Sequence, residues 1–367
     1  MTRSSTMRAA VVLAGLASAA TPALAKDIQL GAILPLTGPG AVVGTQEERG
    51  IQFATDQINA KGGIDGHKIV VQFEDNQAKP DQAVLSFNKL VDLQGVPAIF
   101  TGYSGPTLAI APLATRKKVL LINAGAQSDK LATASPYLVN TLPTTQDEVA
   151  IMSKYLIAHG KKKAAVLYEN DAAGIGGRDD FVRLFKKDGG TILAQEPAQF
   201  GQTDYRPALL KLSAAKPDVL FVVITAGMVP LADQLAQMKV PYLVAGTSFM
   251  ADPAAIADPN STGLIHTQVH IDAPADLASA FHAKFNADMD FFARQYYNAA
   301  QITFTVIKKV LDEKKPVTGS NLRTALFQIR HFQGLIPMDF ATNTAVVPVD
   351  INRMEHGKDV TISANGK

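Results

Sequence analysis

The sequence predicts an α/β protein made of two doubly wound lobes, each a largely parallel sheet covered by helices on both faces. Three observations predict it. Short apolar runs alternate with amphipathic helical stretches from Ile28 to Ile122. The alternation restarts after "NTLPTTQDE" (140–148) and continues to Val244. The tail that follows carries helices first and strands last, without an alternating series of its own, so it is expected to return and complete the two lobes.

In the first series, Ile28–Pro35 is an apolar strand closed by "TGPG". Residues 45–60 place Ile51, Ala54 and Ile58 on one helical face, and "KGGIDG" stops that helix. Lys68–Phe73 is the next strand, and Pro80 opens a helix carrying Val84, Phe87 and Val91 on one side. Ala98–Thr101 and Val119–Ile122 are strands flanking an apolar helical segment with no charge before Arg116. In the second series, Lys163–Tyr168, Thr191–Ala194, Val219–Ile224 and Tyr242–Val244 are strands. Helices over Gly176–Lys187, Tyr205–Ala214 and a stretch through Leu231, Leu235 and Met238 separate them. In the tail, Ala275–Asn286, Phe291–Leu311 and Asn321–Ile329 read as helices, and "GLIPMDF" and "VVPVDINRM" as strands.

Arg3 and Arg8, the apolar run Ala9–Leu16 and Ala23-Leu24-Ala25 have the form of a cleaved secretory signal over residues 1–25. The rest of the chain offers no run of about 18 apolar residues, so a soluble exported protein is expected. The 367 residues contain no Cys, which excludes disulfides and thiol chemistry. Of 35 basic and 33 acidic residues, two basic ones fall in the signal, leaving 33 of each and no net charge. Nucleic acid is therefore not an expected partner.

The ends of two strands in the first series are edged by small residues and hydroxyls, "TGYSG" and "NAGAQS". In open α/β sheets, ligands sit outside the carboxyl ends of strands, where N–H groups and helix N-termini converge. Ser104, with the N–H groups of Gly125 and Gln127, forms a candidate cradle for a carboxylate. The alternative is that Ser104 is a helix cap and "NAGAQS" an ordinary turn.

On the stretches "IQLGAILPLTGPGAVVG", "GIQFATDQINAKGGIDGHKIVVQFEDNQAKPDQAV", "TGYSGPTLAIAPLA", "VLLINAGAQS", "AAVLYENDAAGIGG", "TDYRPALLKLSAAKPDVLFVV" and "YNAAQI", the chain resembles a known family. It is similar to the periplasmic solute-binding proteins of branched-chain amino-acid ABC transporters, the leucine/isoleucine/valine-binding type. The resemblance implies a type I periplasmic binding protein fold, two lobes joined by three crossovers that close on ligand. The crossovers would fall near Asn140–Thr144, His270–Pro274 and Gly334–Met338. Lobe one would then hold residues 26–141 and 271–335, and lobe two 142–270 and 336–367. It further implies a small-molecule ligand, permease subunits as membrane partners, a periplasmic location, a monomer, and no cofactor or catalysis. A sensor domain of the same fold is the alternative role.

The resemblance puts the lobe-one contacts at Ser104, Gly125 and Gln127, with Tyr103 beside them. In lobe two and the first loop, the chain departs from the amino-acid-binding pattern. The acidic position that would pair with a ligand ammonium is Thr247. Aromatic positions become Met228, Ala173 and Val43. An unpaired buried ammonium costs several kcal/mol, roughly, so the missing acid argues against an α-amino acid. The expected ligand is a bulkier aromatic or medium-chain organic acid in a widened apolar pocket. Glu169, Asp171 and Asp252 could supply a relocated acid, which keeps a hydrophobic amino acid as the second expectation.

Other constellations carry less. "GIGG" at 174–177 lacks the spacing of a dinucleotide fingerprint. His266 and His270 in "HTQVH" fall on an extended segment and are expected to be solvated, so no metal site is expected. No G-x-S-x-G elbow is present.

Overall fold

The computed structural model describes residues 26–364. The expected signal at 1–25 lies outside the described residues. Among them, no helix is long and apolar enough to cross a membrane.

The first lobe opens with β1 (Ile28–Leu34), α1 (Ala41–Ala60), β2 (Ile69–Asp75), α2 (Pro80–Asn88) and β3 (Ala98–Thr101). α3 (Ser104–Lys117), β4 (Leu120–Asn123) and β5 (Leu138–Asn140) complete a five-stranded parallel sheet of order β2-β1-β3-β4-β5. Every residue of β3, β4 and β5 is buried, as a strand covered on both faces requires. The chain winds to one side of β1 for β2 and to the other for β3, so the topological switch lies between β1 and β3.

The second lobe repeats the scheme. α4 (Thr145–Ala158), β6 (Lys163–Glu169), α5 (Ala172–Lys187) and β7 (Thr191–Ala198) come first. Then follow α6 (Arg206–Ala214), β8 (Val219–Val223), α7 (Met228–Met238), β9 (Leu243–Gly246), α8 (Pro253–Ala257) and β10 (Ile265–Val269). Here β6 is the pivot, with β7 on one side and β8, β9 and β10 on the other, so the switch lies between β6 and β8.

The tail returns to both lobes. α9 (Ala275–Phe285), α10 (Phe291–Asp312) and α11 (Gly319–Ile329) place Phe281, Tyr296, Ile307 and Leu322 in one core with Leu30, Ala54 and Phe100. α10 lies hard against α1: a Cβ on Gly50 would sit 2.3 Å from the Ala293 carbonyl oxygen, so only glycine permits this approach. β11 (His331–Gln333) and β12 (Pro337–Asp339) form a small hairpin, and β13 (Val349–Glu355) and β14 (Lys358–Ser363) add an antiparallel edge to the second sheet.

The hairpin corrects the expected third crossover. Phe332, Met338 and Phe340 are buried in the lobe-one core, and the Asn140 N–H and carbonyl pair with Asn343 and Ala345. Residues 336–345 thus stay with the first lobe, and the chain crosses between Ala345 and Val349. β11 and β14 are additions that the sequence pattern did not suggest, being short or alternating only weakly in burial.

Candidate functional site

A cavity of about 360 Å³, counting the part open to solvent, lies between the lobes, at the point where the two switch points face each other. From the first lobe, Val43 and Glu47 of α1, Tyr103 and Ser104 at the end of β3, and Gly125 and Ala126 after β4 form its walls. Phe292 enters from α10. The second lobe contributes Ala173 after β6, Thr225 after β8 and Phe249 after β9. The lining is largely apolar and aromatic, with the hydroxyls of Tyr103, Ser104 and Thr225 and one carboxyl.

Five of the eight sequence-named residues are brought together here: Val43, Tyr103, Ser104, Gly125 and Ala173. Ser104 is the first residue of α3, with Tyr103 in the cap position, so it is not the N-cap. Its Oγ accepts from the Ser128 N–H at 3.2 Å, which leaves the hydroxyl proton free to donate into the cavity. The Gly125 N–H, in contrast, is engaged: with the Ala126 N–H it donates to the Asn123 Oδ1, at 3.2 and 2.8 Å. Gly125 serves as space instead, because a Cβ there would sit 2.6 Å from a Glu47 oxygen.

The other three residues do not line the cavity. The Gln127 side chain is turned into a buried network, donating to Glu148 Oε1 and accepting from the Ser248 hydroxyl at 2.8 Å. Glu148 Oε2 accepts from the Ser248 N–H at 2.8 Å and the Thr267 hydroxyl at 2.7 Å. These bonds tie the end of the first sheet to the second lobe at the first crossover. Met228 is buried in the core of the second lobe with Leu167 and Leu231. Thr247 is buried just before Phe249. Phe249 and Phe292 supply aromatic walls from positions other than the lost ones.

Tyr103 has φ +62° and ψ 132°, a backbone conformation that L residues rarely adopt. Thr107 braces this turn, its N–H donating to the Tyr103 carbonyl at 3.1 Å and its hydroxyl to the Gly102 carbonyl at 3.3 Å. The bend carries the Tyr103 ring across the boundary to Phe200 of the second lobe. Nearby, Gly201 (φ +69°) meets Pro39, and a Cβ on it would lie 2.7 Å from the proline Cβ. The lobes are therefore in contact at the cavity rim.

The residue that sequence reasoning missed is Glu47. It reads as an ordinary helix-surface acid four residues before Ile51, and only the position of α1 beneath the switch point buries it. Neither of its carboxyl oxygens has a hydrogen-bond partner among the described residues. The neighbouring Tyr296 hydroxyl donates instead to the Thr101 carbonyl at 2.9 Å. Burial raises the Glu47 pKa to about 8, a rise opposed by the Tyr296 hydroxyl and reinforced by Asp290. The acids anticipated from sequence are otherwise engaged. Glu169 accepts from the Thr225 N–H at 2.9 Å and from its hydroxyl, and burial raises its pKa to about 7. Asp171 and Asp252 cap α5 and α8.

His266 is a correction. It is buried, with Nε2 2.9 Å from Asp359 and Nδ1 3.0 Å from the Thr267 carbonyl oxygen. β10 is flanked by β9 and β13, so its inward positions leave solvent. Among the described residues, no group of three or more His, Cys, Asp or Glu side chains could hold a metal.

The two-lobed α/β fold and the interlobe cavity define a class of ligand-trapping proteins. The chain belongs to the periplasmic binding protein family, whose profile matches residues 27–358. It is 28% identical over 308 residues to the Leu/Ile/Val-binding protein homolog 3 of Brucella melitensis, covering 79% of this chain and 82% of that one. A solute-binding protein of an ABC transporter from Rhodopseudomonas palustris BisB5, in complex with 3,4-dihydroxybenzoic acid, superposes with a TM-score of 0.82 at 25% identity, covering 92% of this chain and 97% of the other. An R. palustris solute-binding protein in complex with benzoate has the same fold, with a TM-score of 0.84 at 20% identity, covering 92% of this chain and 96% of that one.

Proposed function

We propose that the protein is the extracytoplasmic solute-binding component of an ABC importer, capturing a small organic acid and delivering it to the permease without chemical change. The ligand class is an aromatic or medium-chain carboxylate. The observation that carries this reading is the cavity wall itself. Tyr103, Phe249 and Phe292 offer apolar faces, Ser104 offers a hydroxyl proton, and the second-lobe wall of Ala173, Thr225 and Phe249 carries no acid to meet an ammonium. Ser104 would hold the carboxylate, and the aromatic side chains would hold the body of the ligand. The dihydroxybenzoate complex of the R. palustris BisB5 relative agrees with that class.

A thermal-shift screen of benzoate, 3,4-dihydroxybenzoate, hexanoate, leucine, isoleucine and valine tests it, because a ligand bound only by the folded state raises the melting temperature. Organic acids are expected to give the larger shifts, and recovered ligand is expected to be unchanged. A hydrophobic amino acid is the second reading. One observation favours it: Glu47 lies close enough to Gly125 and Ser104 to face an ammonium. A large shift with leucine, and none with the acids, would select that reading.

A further inference from the structure

One group is out of keeping with an apolar, aromatic-walled cavity, and that is the Glu47 carboxyl. Its residue is 1% exposed and lines the cavity, and among the described residues neither carboxyl oxygen has a hydrogen-bond partner. It projects from α1 onto the backbone that follows β3 and β4. A Cβ on Gly102 would come within 3.0 Å of both carboxyl oxygens, and one on Gly125 within 2.6 Å of one of them. Glycine at both positions is what makes room for the carboxyl. The carboxyl thus occupies the strand-end cradle itself, next to Ser104, while the Gly125 and Ala126 N–H groups are spent on Asn123.

A buried carboxylate without a donor is strongly unfavourable, and protonation relieves it. Two carboxyl groups brought together at short range hold one proton between them, because both cannot be ionised. Building on the organic-acid reading above, we propose that Glu47 is the specificity-determining head-group partner of the first lobe. It binds as the protonated acid, donating its O–H to the ligand carboxylate, so that capture of an anionic ligand is coupled to one bound proton. The proton stays on Glu47, no bond is exchanged, and the charge in the closed cavity remains that of the ligand alone.

The surroundings support the neutral form. The groups that face Glu47 are Tyr296 of α10 and Asp290, which caps that helix, Tyr103 from the turn after β3, and Glu169, Asp171 and Asp252 across the cavity beyond Tyr103. None is a cation, and the Asp290 charge itself disfavours ionisation of Glu47. With the Glu47 pKa raised to about 8, a free protein at neutral pH already carries the proton. On the alkaline side the proton must be taken up with the ligand. Affinity for an anion is then flat below that pH as far as Glu47 is concerned, and falls by up to about tenfold per pH unit above it. An α-amino acid would reverse the sign, because its ammonium stabilises ionised Glu47 and binding releases a proton.

The test is calorimetric titration at pH 8 in phosphate and in Tris, whose different ionisation heats report the protons exchanged. The probe is whichever of benzoate, 3,4-dihydroxybenzoate and hexanoate shifts the melting temperature most, with leucine in parallel. Uptake of about half a proton per ligand is expected, since a group at its pKa is half protonated. In Glu47→Gln, whose amide still donates, uptake should vanish while affinity stays within a few-fold. Glu47→Leu, which cannot donate, should lose about ten-fold or more. An acid that binds without proton uptake by the unmodified protein, with Glu47→Gln unchanged in affinity and pH profile, overturns the role of Glu47 and leaves the organic-acid reading standing. Leucine binding with proton release, and no acid binding, overturns both. The unmodified protein alone decides between these outcomes, so a variant that fails to fold does not remove the test.

Discussion

The Tyr103 ring meets Phe200 edge-on across the lobe boundary, with ring centroids 5.9 Å apart and planes at 89°. Tyr103 belongs to the first lobe and Phe200 to the second, so this pair exists only when the lobes are together. Edge-to-face aromatic pairs contribute about 0.5–1.5 kcal/mol beyond their buried area. Phe200→Ala should therefore weaken ligand binding about two- to ten-fold through the closed state, without replacing a cavity-lining residue. Small-angle scattering should show a larger radius of gyration than the parent at the same partial saturation. Equal affinity and equal profiles would mean that the ring pair does not hold the lobes together.

Ser104 gives the sharpest binding prediction. A hydrogen bond to a charged group is worth about 1.5–3 kcal/mol, so Ser104→Ala should weaken binding of an organic acid by roughly ten- to a hundred-fold. The same change also removes the acceptor for the Ser128 N–H. Unliganded stability should fall by about 1–2 kcal/mol as a result. Calorimetric titration, with a ligand-free denaturation curve beside it, separates the two effects. Unchanged affinity would place the head group elsewhere in the cavity.

The unliganded protein should lose stability as pH rises, through Glu47. The folded-state pKa of about 8 stands above the ordinary value of 4.5, so below pH 4.5 folded and unfolded chains both hold the proton and the contribution is full. Between 4.5 and 8 the unfolded chain releases its proton while the folded chain keeps it, and stability declines. At about 1.4 kcal/mol per pH unit, the whole window is worth on the order of 4–5 kcal/mol. Glu47→Gln should flatten this part of the profile and be relatively more stable at pH 8 than at pH 5. Urea unfolding at both pH values checks the sign, and a parallel decline in parent and variant would show that other groups dominate.

Glu148 should prove structural and not ligand-binding. Its two oxygens accept from Gln127 across the first crossover and from Ser248 and Thr267 within the second lobe. Glu148→Ala leaves several buried polar groups without partners and should cost about 3–5 kcal/mol. Gln127→Ala should cost less, about 1–2 kcal/mol, since one network member is lost. Thermal melts without ligand distinguish the pair. A Gln127→Ala variant of parental stability that loses only ligand affinity would return Gln127 to the cavity.

The alternation of strands and helices was readable because it depends on local pattern. Short β-branched runs such as Val219–Val223 form strands buried on both faces, and Ala98–Thr101 ends just before Gly102. That Ser104 and Gly125 reach the cavity wall was readable for the same reason, since both follow closely on strand ends. What escaped is set by long-range packing. Glu47 is 56 residues from Tyr103 in sequence (103 − 47) and becomes a cavity group only because α1 covers β1. Phe292 arrives from a tail helix, and Phe249 from a short turn after β9. Gln127 points away from the cavity because Glu148 and Ser248, both in the second lobe, offer its amide better partners. The third crossover was misplaced because Phe332 and Phe340, stacked edge-on at 5.7 Å, have no local signal for which lobe they fill.

Gly201 works as a door without a stop. It sits outside the cavity lining, at φ +69°, with room for a hydrogen atom and nothing larger against Pro39. A side chain there would wedge the rim apart, giving a receptor that touches its ligand with one lobe and never seals the other over it. Such a molecule would separate two signals that normally arrive together, the presence of the ligand and the shape of the shut container. A membrane partner that ignores the wedged form even when it is loaded is reading the shape; one that accepts it is reading the cargo.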